Sequence, residues 1–363
     1  MGVFFCGLHR AHRKEIFMEE MFYLHPPTND DALPTKVYVE PTSMCNLSCS
    51  ICFRHGWFDE RLGRMDMQLY RDLARQVSDM PSVAEVFFGG MGEPLFHPDI
   101  CEMMSLLPKR CKRSLLTNGT MLTVERSAAL IEAGLDELWI SMDGFSRESY
   151  EAIHLGSRYE LILNNIRAFN ATRAGTDVRL CVTFVVTPEN IDQLEQINAF
   201  ADENGVDEIN ISHEIPGHPI PEEELLYHRT EIAVGKMRRY APATALPKEH
   251  VCPFVSSNSV FVRWDGDVVP CMQLLHNTFT YLYEQKRKIT RFTYGNIAEQ
   301  SLLDCWNRQD YREFRHRVNT FYFPFCTCCW GCEDREENLH DCFLGEAPTC
   351  GGCLWSTGQV FCP

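Results

Sequence analysis

The chain has no apolar run approaching the roughly 20 residues that a membrane-spanning helix requires, so no such helix is expected. It has no excess of positive charge: 34 Lys and Arg stand against 50 Asp and Glu, a formal net charge of −16. A protein that grips nucleic acid by neutralising phosphates needs a basic surface, so that class is excluded. No secretory leader is expected either. Phe4 and Phe5 give way to Arg10, Arg13 and Lys14 before any apolar core of a signal peptide can form. There is no internal repeat and no low-complexity tract. These absences lead us to expect a cytoplasmic protein that binds neither membrane nor nucleic acid.

Cysteine is what the chain has in abundance, with 18 in 363 residues. In a short secreted chain such a count would imply disulfides. In a long chain of a reducing compartment, clustered thiols point to metal. Hydrophobic residues at 45% and charged residues at 23% are ordinary for a globular protein of two or three domains.

Residues 1–35 read as an irregular extension, with His25-Pro26-Pro27 and Asn29-Asp30-Asp31 as turn signals. Apolar runs at 36–40, 84–88, 113–116, 137–141, 178–186 and 207–211 read as six strands. Between them lie helical patterns, one over 123–133 stopping at Gly134 and another after Pro188 stopping at Gly205. Strand–helix alternation implies parallel pairing with right-handed crossovers. Periodicity leaves open whether the α/β sheet is doubly wound or a partial barrel; either way, polar chemistry belongs at the strands' carboxyl ends. A Pro-rich acidic stretch over 215–224 leads to a region where most of the cysteines lie. We therefore divide the chain into 1–35, 36–240 and 241–363.

Directly after the first strand stands Glu40-Pro-Thr-Ser-Met-Cys45-Asn-Leu-Ser-Cys49-Ser-Ile-Cys52, spaced C-x3-C-x2-C. Three thiolates on one loop can hold three irons of a cubane and leave the fourth without a protein ligand. The same spacing would also suit one face of a helix, or zinc with a distant fourth ligand. Pro41, Asn46, Ser48 and Ser50 favour a loop. The motif resembles the signature of the radical S-adenosylmethionine (radical SAM) superfamily, whose core is a partial (β/α)6 barrel. The resemblance implies a catalytic 4Fe-4S cluster whose open iron chelates S-adenosylmethionine, and reductive cleavage to methionine and a 5′-deoxyadenosyl radical.

Three further motifs follow in order at strand ends. Gly89-Gly90-Met91-Gly92-Glu93-Pro94 is similar to the family's glycine-rich segment, which implies that Gly90, Gly92 and Glu93 receive the methionyl amine. Thr117-Asn118-Gly119 resembles its T-N-G turn, bringing Asn118 to the site. Ser141-Met-Asp143-Gly144 resembles its S-x-D-G pattern, in which Ser141 and Asp143 would grip the cofactor's ribose and methionyl end; alternatively both could cap a helix near Arg147. For the arginine that pairs with the cofactor carboxylate in relatives, His154 and Arg158 are the nearest positions, and Arg158 is the one expected.

The C-terminal region opens with Cys252, thirteen residues, Gly266, four residues and Cys271, with Trp264-Asp265-Gly266-Asp267 as a hairpin turn. This looks like the start of a SPASM domain, which implies two auxiliary four-iron clusters with eight cysteine ligands. The usual continuation is absent. Instead come Cys326, Cys329 and Cys332, then Cys342, Cys350, Cys353 and Cys362, making nine candidates with Cys252 and Cys271. Cys328 is set aside as an adjacent extra, and structural zinc is the alternative. Cys6, Cys101, Cys111, Cys181 and Cys305 are scattered and expected to act as small buried hydrophobes.

In sulfatase-maturing relatives an aspartate follows the cysteine of the hairpin strand; here Met272 and Gln273 follow Cys271. Val262-Arg-Trp-Asp-Gly, Leu274-Leu275-His276, Tyr294-Gly295-Asn296, Asp341-Cys342-Phe343 and Cys350-Gly-Gly-Cys353-Leu-Trp355 look more like the radical maturases associated with tungsten-cofactor aldehyde:ferredoxin oxidoreductases. That resemblance implies a protein or peptide substrate, a tungsten-dependent oxidoreductase among the partners. The rivals are radical crosslinking or epimerisation of a ribosomal peptide, and a non-enzymatic zinc or electron-transfer protein. Lys286, Arg287, Lys288 and Arg291 read either as a docking patch for a ferredoxin or flavodoxin donor or as a solvated charged loop.

Overall fold

The computed structural model describes residues 32–214, 216–220, 230, 251–329, 332–343, 345 and 347–357. Cys6, Cys362 and half of the 215–224 stretch lie outside them.

Six parallel strands form where apolar runs occur: β1 (Lys36–Val39), β2 (Glu85–Phe88), β3 (Lys112–Thr117), β4 (Glu137–Ser141), β5 (Arg179–Val186) and β6 (Glu208–His213). Each pairs in parallel with the next, so their order in the sheet follows the chain. That order decides the question periodicity left open. A doubly wound sheet reverses its strand order midway; with right-handed crossovers always stepping the same way, every helix falls on one face and the sheet curls around the other. β6 ends the order without pairing back, so the barrel is partial.

The helices bury one stripe each. In Met67–Asp79 the buried residues are Tyr70, Leu73, Ala74 and Val77, the i, i+3, i+4, i+7 pattern, and Asp66 caps the helix by accepting from the Gln68 and Leu69 amides. Val124–Glu132 is capped by Thr123, and Ile197–Asn204 ends at Gly205, whose φ of 62° is the left-handed conformation expected there. Among the described residues no helix is long and apolar enough to cross a membrane.

The C-terminal segment does not stand apart from this sheet. Its first strand, β7 (Ser259–Val262), pairs in parallel with β1, and β8 (Val268–Val269) returns antiparallel through the turn at Gly266. Tyr38 of β1 stacks on Phe261 of β7 at 4.2 Å, so the seam is packed as well as hydrogen-bonded. An antiparallel hairpin follows, β9 (Thr278–Leu282) with β10 (Gln285–Ile289), then helices Leu302–Asn307 and Gln309–Asn319. Of the scattered cysteines, Cys111, Cys181 and Cys305 are buried and Cys101 is half-buried.

Candidate active site

The three N-terminal cysteines lie on an irregular loop, not a helix. The loop is pinned at both ends. Thr42 Oγ1 donates to the Gly63 carbonyl at 2.7 Å and the Met65 amide to the Pro41 carbonyl at 2.8 Å. Farther on, the Ser50 amide donates to the Ile153 carbonyl at 2.8 Å and that of Ser48 to Leu155. The loop therefore sits across the carboxyl ends of the first strands.

Burial raises the Cys45 thiol and pushes Cys49 up to about 12, with the nearby Cys52, Asp143 and Cys45 charges adding to the shift on Cys49. Three half-buried sulfurs that repel one another as thiolates suit a cationic iron cluster, which would replace their protons. Arg54 was not anticipated from the sequence. Its Nε donates to Cys52 Sγ at 3.4 Å and its Nη2 to the Leu47 carbonyl at 2.6 Å, placing positive charge against the loop. A basic residue two positions after the last cysteine was the available signal.

Tetrahedral zinc with Zn–S near 2.3 Å would draw its sulfurs to about 3.8 Å apart. Among the described residues, the one His, Cys, Asp or Glu trio with ligand atoms within 4.8 Å of one another is Glu137, Cys181 and Glu208. It lies around the amino ends of β4 to β6, away from the loop, where Glu137 is paired with Lys112 at 2.7 Å and Arg179 at 2.9 Å. Among the described residues, neither the loop cysteines nor the C-terminal ones are gathered at single-ion spacing.

The glycine-rich segment folds onto the cysteine loop. A Cβ on Gly92 would come 2.1 Å from the Thr42 carbonyl oxygen, and the Glu93 amide donates to the Met44 carbonyl at 2.8 Å. Gly90 has φ +119°, and a side chain there would strike Glu40. Glu93 is buried. Its carboxylate accepts from Thr117 Oγ1 at 2.7 Å, the Asn118 amide at 2.8 Å and the Leu95 amide at 3.0 Å. Burial raises its pKa despite these donors. Glu93 thus ties the glycine segment to the T-N-G turn, with three of roughly four acceptor positions occupied. Asn118 in turn reaches Cys45 Sγ at 3.8 Å and Asn46 Oδ1 at 3.0 Å.

Ser141 and Asp143 do not cap the next helix; Ser146 and Ser149 form that capping box. Ser141 Oγ instead donates to Asp143 Oδ2 at 2.9 Å, and Asp143 Oδ1 accepts from the Val185 amide at 2.7 Å. His154 is brought into this group. Its Nε2 lies 3.0 Å from Asp143 Oδ2 and its Nδ1 3.6 Å from Cys49 Sγ, with the Tyr150 ring stacked on it at 4.4 Å. Arg158 is not brought in: it is exposed, at the start of helix Tyr159–Arg173.

Beside the loop opens a cavity of about 300 Å³, walled by Ser50–Trp57 residues, Glu214 after β6, His218, and Phe279, Tyr281 and Lys286 of the hairpin. Burial and the Glu189 charge push Glu214 up to about 7.

The C-terminal cysteines separate into two groups. Cys252, Cys271, Cys350 and Cys353 line a single cavity, and the charges of Cys252, Cys271 and Cys353 all act on Cys350. Cys326 is within electrostatic reach of Cys329 and Cys342, and Cys342 of Cys329 and Cys332. Burial pushes Cys252 and Cys326 up to about 12. These couplings relate eight of the nine candidates four and four, the number a closed four-iron site takes; Cys362 is outside the described residues.

A partial parallel barrel with three thiols on the loop after its first strand, and two four-cysteine sets beyond it, defines an iron–sulfur enzyme of the radical type. Residues 39–201 match the Radical SAM superfamily and 252–333 the SPASM iron–sulfur cluster-binding domain. The chain is 32% identical over 350 residues, 90% of it and 96% of the relative, to the tungsten-containing aldehyde ferredoxin oxidoreductase cofactor-modifying protein of Pyrococcus furiosus. It therefore belongs to the SPASM-bearing radical SAM family that includes this cofactor-modifying protein. It is also 27% identical to the PqqA peptide cyclase of Gluconobacter oxydans, over 50% of this chain and 49% of that one. The crystal structure of Streptococcus suis SuiB bound to S-adenosylmethionine shares the fold, with TM-score 0.59 and 17% identity over 88% of this chain and 81% of that one. Membership brings a 4Fe-4S cluster, S-adenosylmethionine and auxiliary clusters as cofactors.

Proposed function

We propose that this enzyme uses radical chemistry to mature a tungsten-cofactor aldehyde:ferredoxin oxidoreductase or its cofactor. The observation that supports this most is the similarity to the Pyrococcus furiosus cofactor-modifying protein across nearly the full length of both chains. Cys45, Cys49 and Cys52 would hold the catalytic cluster. When bound, the cluster and S-adenosylmethionine supply a 5′-deoxyadenosyl radical that abstracts hydrogen. Arg54 offsets the negative charge of the thiolates. The Gly90–Gly92–Glu93 segment and Asn118 shape the methionyl side of the cofactor site, with Glu93 buried against both. Ser141 and Asp143 offer a hydroxyl and a carboxylate toward the ribose, and His154 holds Asp143 in place. Cys252, Cys271, Cys350 and Cys353 hold one auxiliary cluster, and Cys326, Cys329, Cys332 and Cys342 the other. The substrate, a protein, a peptide or the cofactor itself, enters by the cavity between the loop and the β9–β10 hairpin, and a ferredoxin or flavodoxin supplies electrons.

The test is genetic and chemical together. In a strain lacking this gene the tungsten oxidoreductase should be expressed but inactive toward aldehyde with a viologen dye. The wild-type gene should restore it and the Cys45→Ala gene should not. Full activity and full tungsten content in the deletion strain would overturn the reading. Modification of a ribosomal peptide, which the partial similarity to PqqA peptide cyclase favours, would then take its place.

A further inference from the structure

The basic run Lys286-Arg287-Lys288 forms most of β10, and strand alternation splits it. Lys286 and Lys288 are exposed, their ammonium groups lying over Phe279 at 4.1 Å and Phe58 at 5.2 Å. Arg287 points the other way and is 2% exposed. Its Nε and Nη2 donate to the Glu337 carbonyl at 3.3 and 2.9 Å, and among the described residues no carboxylate pairs with it. The charged groups that act on it are the thiols Cys326, Cys353 and Cys350, with the Arg335 guanidinium adding a second cation. It lines the cavity of the first cysteine set.

The Cys350-Gly-Gly-Cys353 turn shows how closely these groups are fitted. A Cβ on Gly352 would lie 2.2 Å from Arg287 Nη1, and one on Gly351 would lie 2.2 Å from the Pro324 carbonyl oxygen and 3.1 Å from Cys326 Sγ. The turn that carries two cysteines of one set is thus pressed against Arg287 and against a cysteine of the other. Only residues without a side chain permit both approaches.

A guanidinium stays charged in a protein, and burying it without a counter-charge is costly. A four-iron cluster with four thiolates carries a net negative charge that grows on reduction, and such charge sets its potential. We propose that Arg287 is a positioning residue that acts as the shared counter-charge of the two auxiliary clusters, raising the reduction potential of both. This rests on the reading of the eight cysteines as two four-iron sets.

The test uses the full-length chain, reconstituted anaerobically as wild type, Arg287→Gln and Arg287→Lys, with iron counted before potentiometric titration followed by electron paramagnetic resonance. About twelve irons are expected from three clusters. In Arg287→Gln both auxiliary midpoint potentials should move negative while that of the N-terminal cluster stays in place, and Arg287→Lys should stay close to wild type. Unmoved auxiliary potentials at full iron content overturn the proposal, as does a shift confined to one cluster. Should Arg287→Gln fail to load its auxiliary clusters, loading of Arg287→Lys supports the requirement for charge, and its failure overturns it. A wild-type protein with only four irons defeats the cluster assignment itself, which separates that failure from one concerning Arg287 alone.

Discussion

His276 Nε2 lies 2.8 Å from Glu40 Oε1 and 3.1 Å from Oε2, joining the end of the first barrel strand to a residue 236 positions later. The same Oε1 accepts from the Met91 amide at 3.1 Å, within the glycine-rich segment. On its other side His276 Nδ1 lies 3.1 Å from Glu60 Oε2, which Arg263 grips at 2.6 Å, and Trp57 stacks on the imidazole at 4.2 Å. His276, Glu40 and Arg263 are each no more than 2% exposed. The C-terminal segment is thereby latched onto the barrel beside its glycine-rich segment.

Removing one partner of such a buried pair strands the other's charge, at a cost of about 3–5 kcal/mol. His276→Ala should lower the melting temperature of the reconstituted protein and weaken S-adenosylmethionine binding through Glu40 and Met91. His276→Gln, which can still donate one hydrogen bond, should lose less of both. Calorimetric melting and cofactor titration measure the two; wild-type values for His276→Ala would show the latch to be idle.

The latch should also depend on pH. Burial alone would lower the pKa of His276, but the hydrogen bond and charge of Glu40 and the hydrogen bond of Glu60 outweigh it, against the opposing Arg263, and raise it above the ordinary imidazole value. A group raised in the folded state stabilises fully below its unfolded value and loses that contribution as pH rises through the folded one. The stability gap between wild type and His276→Gln should be widest at pH 6 and shrink on the alkaline side. A gap that stays constant to pH 9 would contradict a charged imidazole.

Replacing Cys45, Cys49 and Cys52 together with Ala should remove about four irons and leave about eight. Formation of 5′-deoxyadenosine under dithionite should cease, while the absorbance of the remaining clusters persists. Continued formation would place the radical chemistry elsewhere in the chain.

The sorting of the C-terminal cysteines makes a count that can be checked. Cys350→Ser combined with Cys353→Ser should cost about four irons, because both serve one set. Cys350→Ser combined with Cys342→Ser should cost about eight, because they serve different sets. Equal losses from the two double variants would mean that the sets are drawn wrongly.

Glu93→Gln replaces one accepting oxygen with an amide donor. Thr117 and Leu95 donate to one carboxylate oxygen and the Asn118 amide to the other, so one contact becomes donor against donor. A lost hydrogen bond to a charged group costs roughly 1.5–3 kcal/mol. We expect a lower melting temperature, accompanied by weaker cofactor binding, read by titration. An unchanged melting temperature would show that this oxygen is not needed to hold the turn.

Local features were legible in the sequence because they arise from neighbours along the chain. Alternating apolar residues located all six strands to within a residue or two, and Gly205 ends its helix as its left-handed φ allows. The motifs fell at strand ends because a parallel strand's carboxyl end is where its loop begins. What joins distant segments was not legible. The pairing of β7 with β1, the contact of His276 with Glu40, and the division of Cys252, Cys271, Cys350 and Cys353 from Cys326, Cys329, Cys332 and Cys342 each depend on approaches that spacing does not encode. Arg287 shows the difference most sharply. Its place between two lysines suggested solvent or a docking surface, and only the register of β10 against β9, with that hairpin laid over the cysteine sets, turned it inward. Sequence alone determined which chemistry the chain can carry, since cysteine spacing and strand ends are local properties. The tertiary structure decided which charges and sulfurs meet, because burial and long-range pairing are properties of the packed whole.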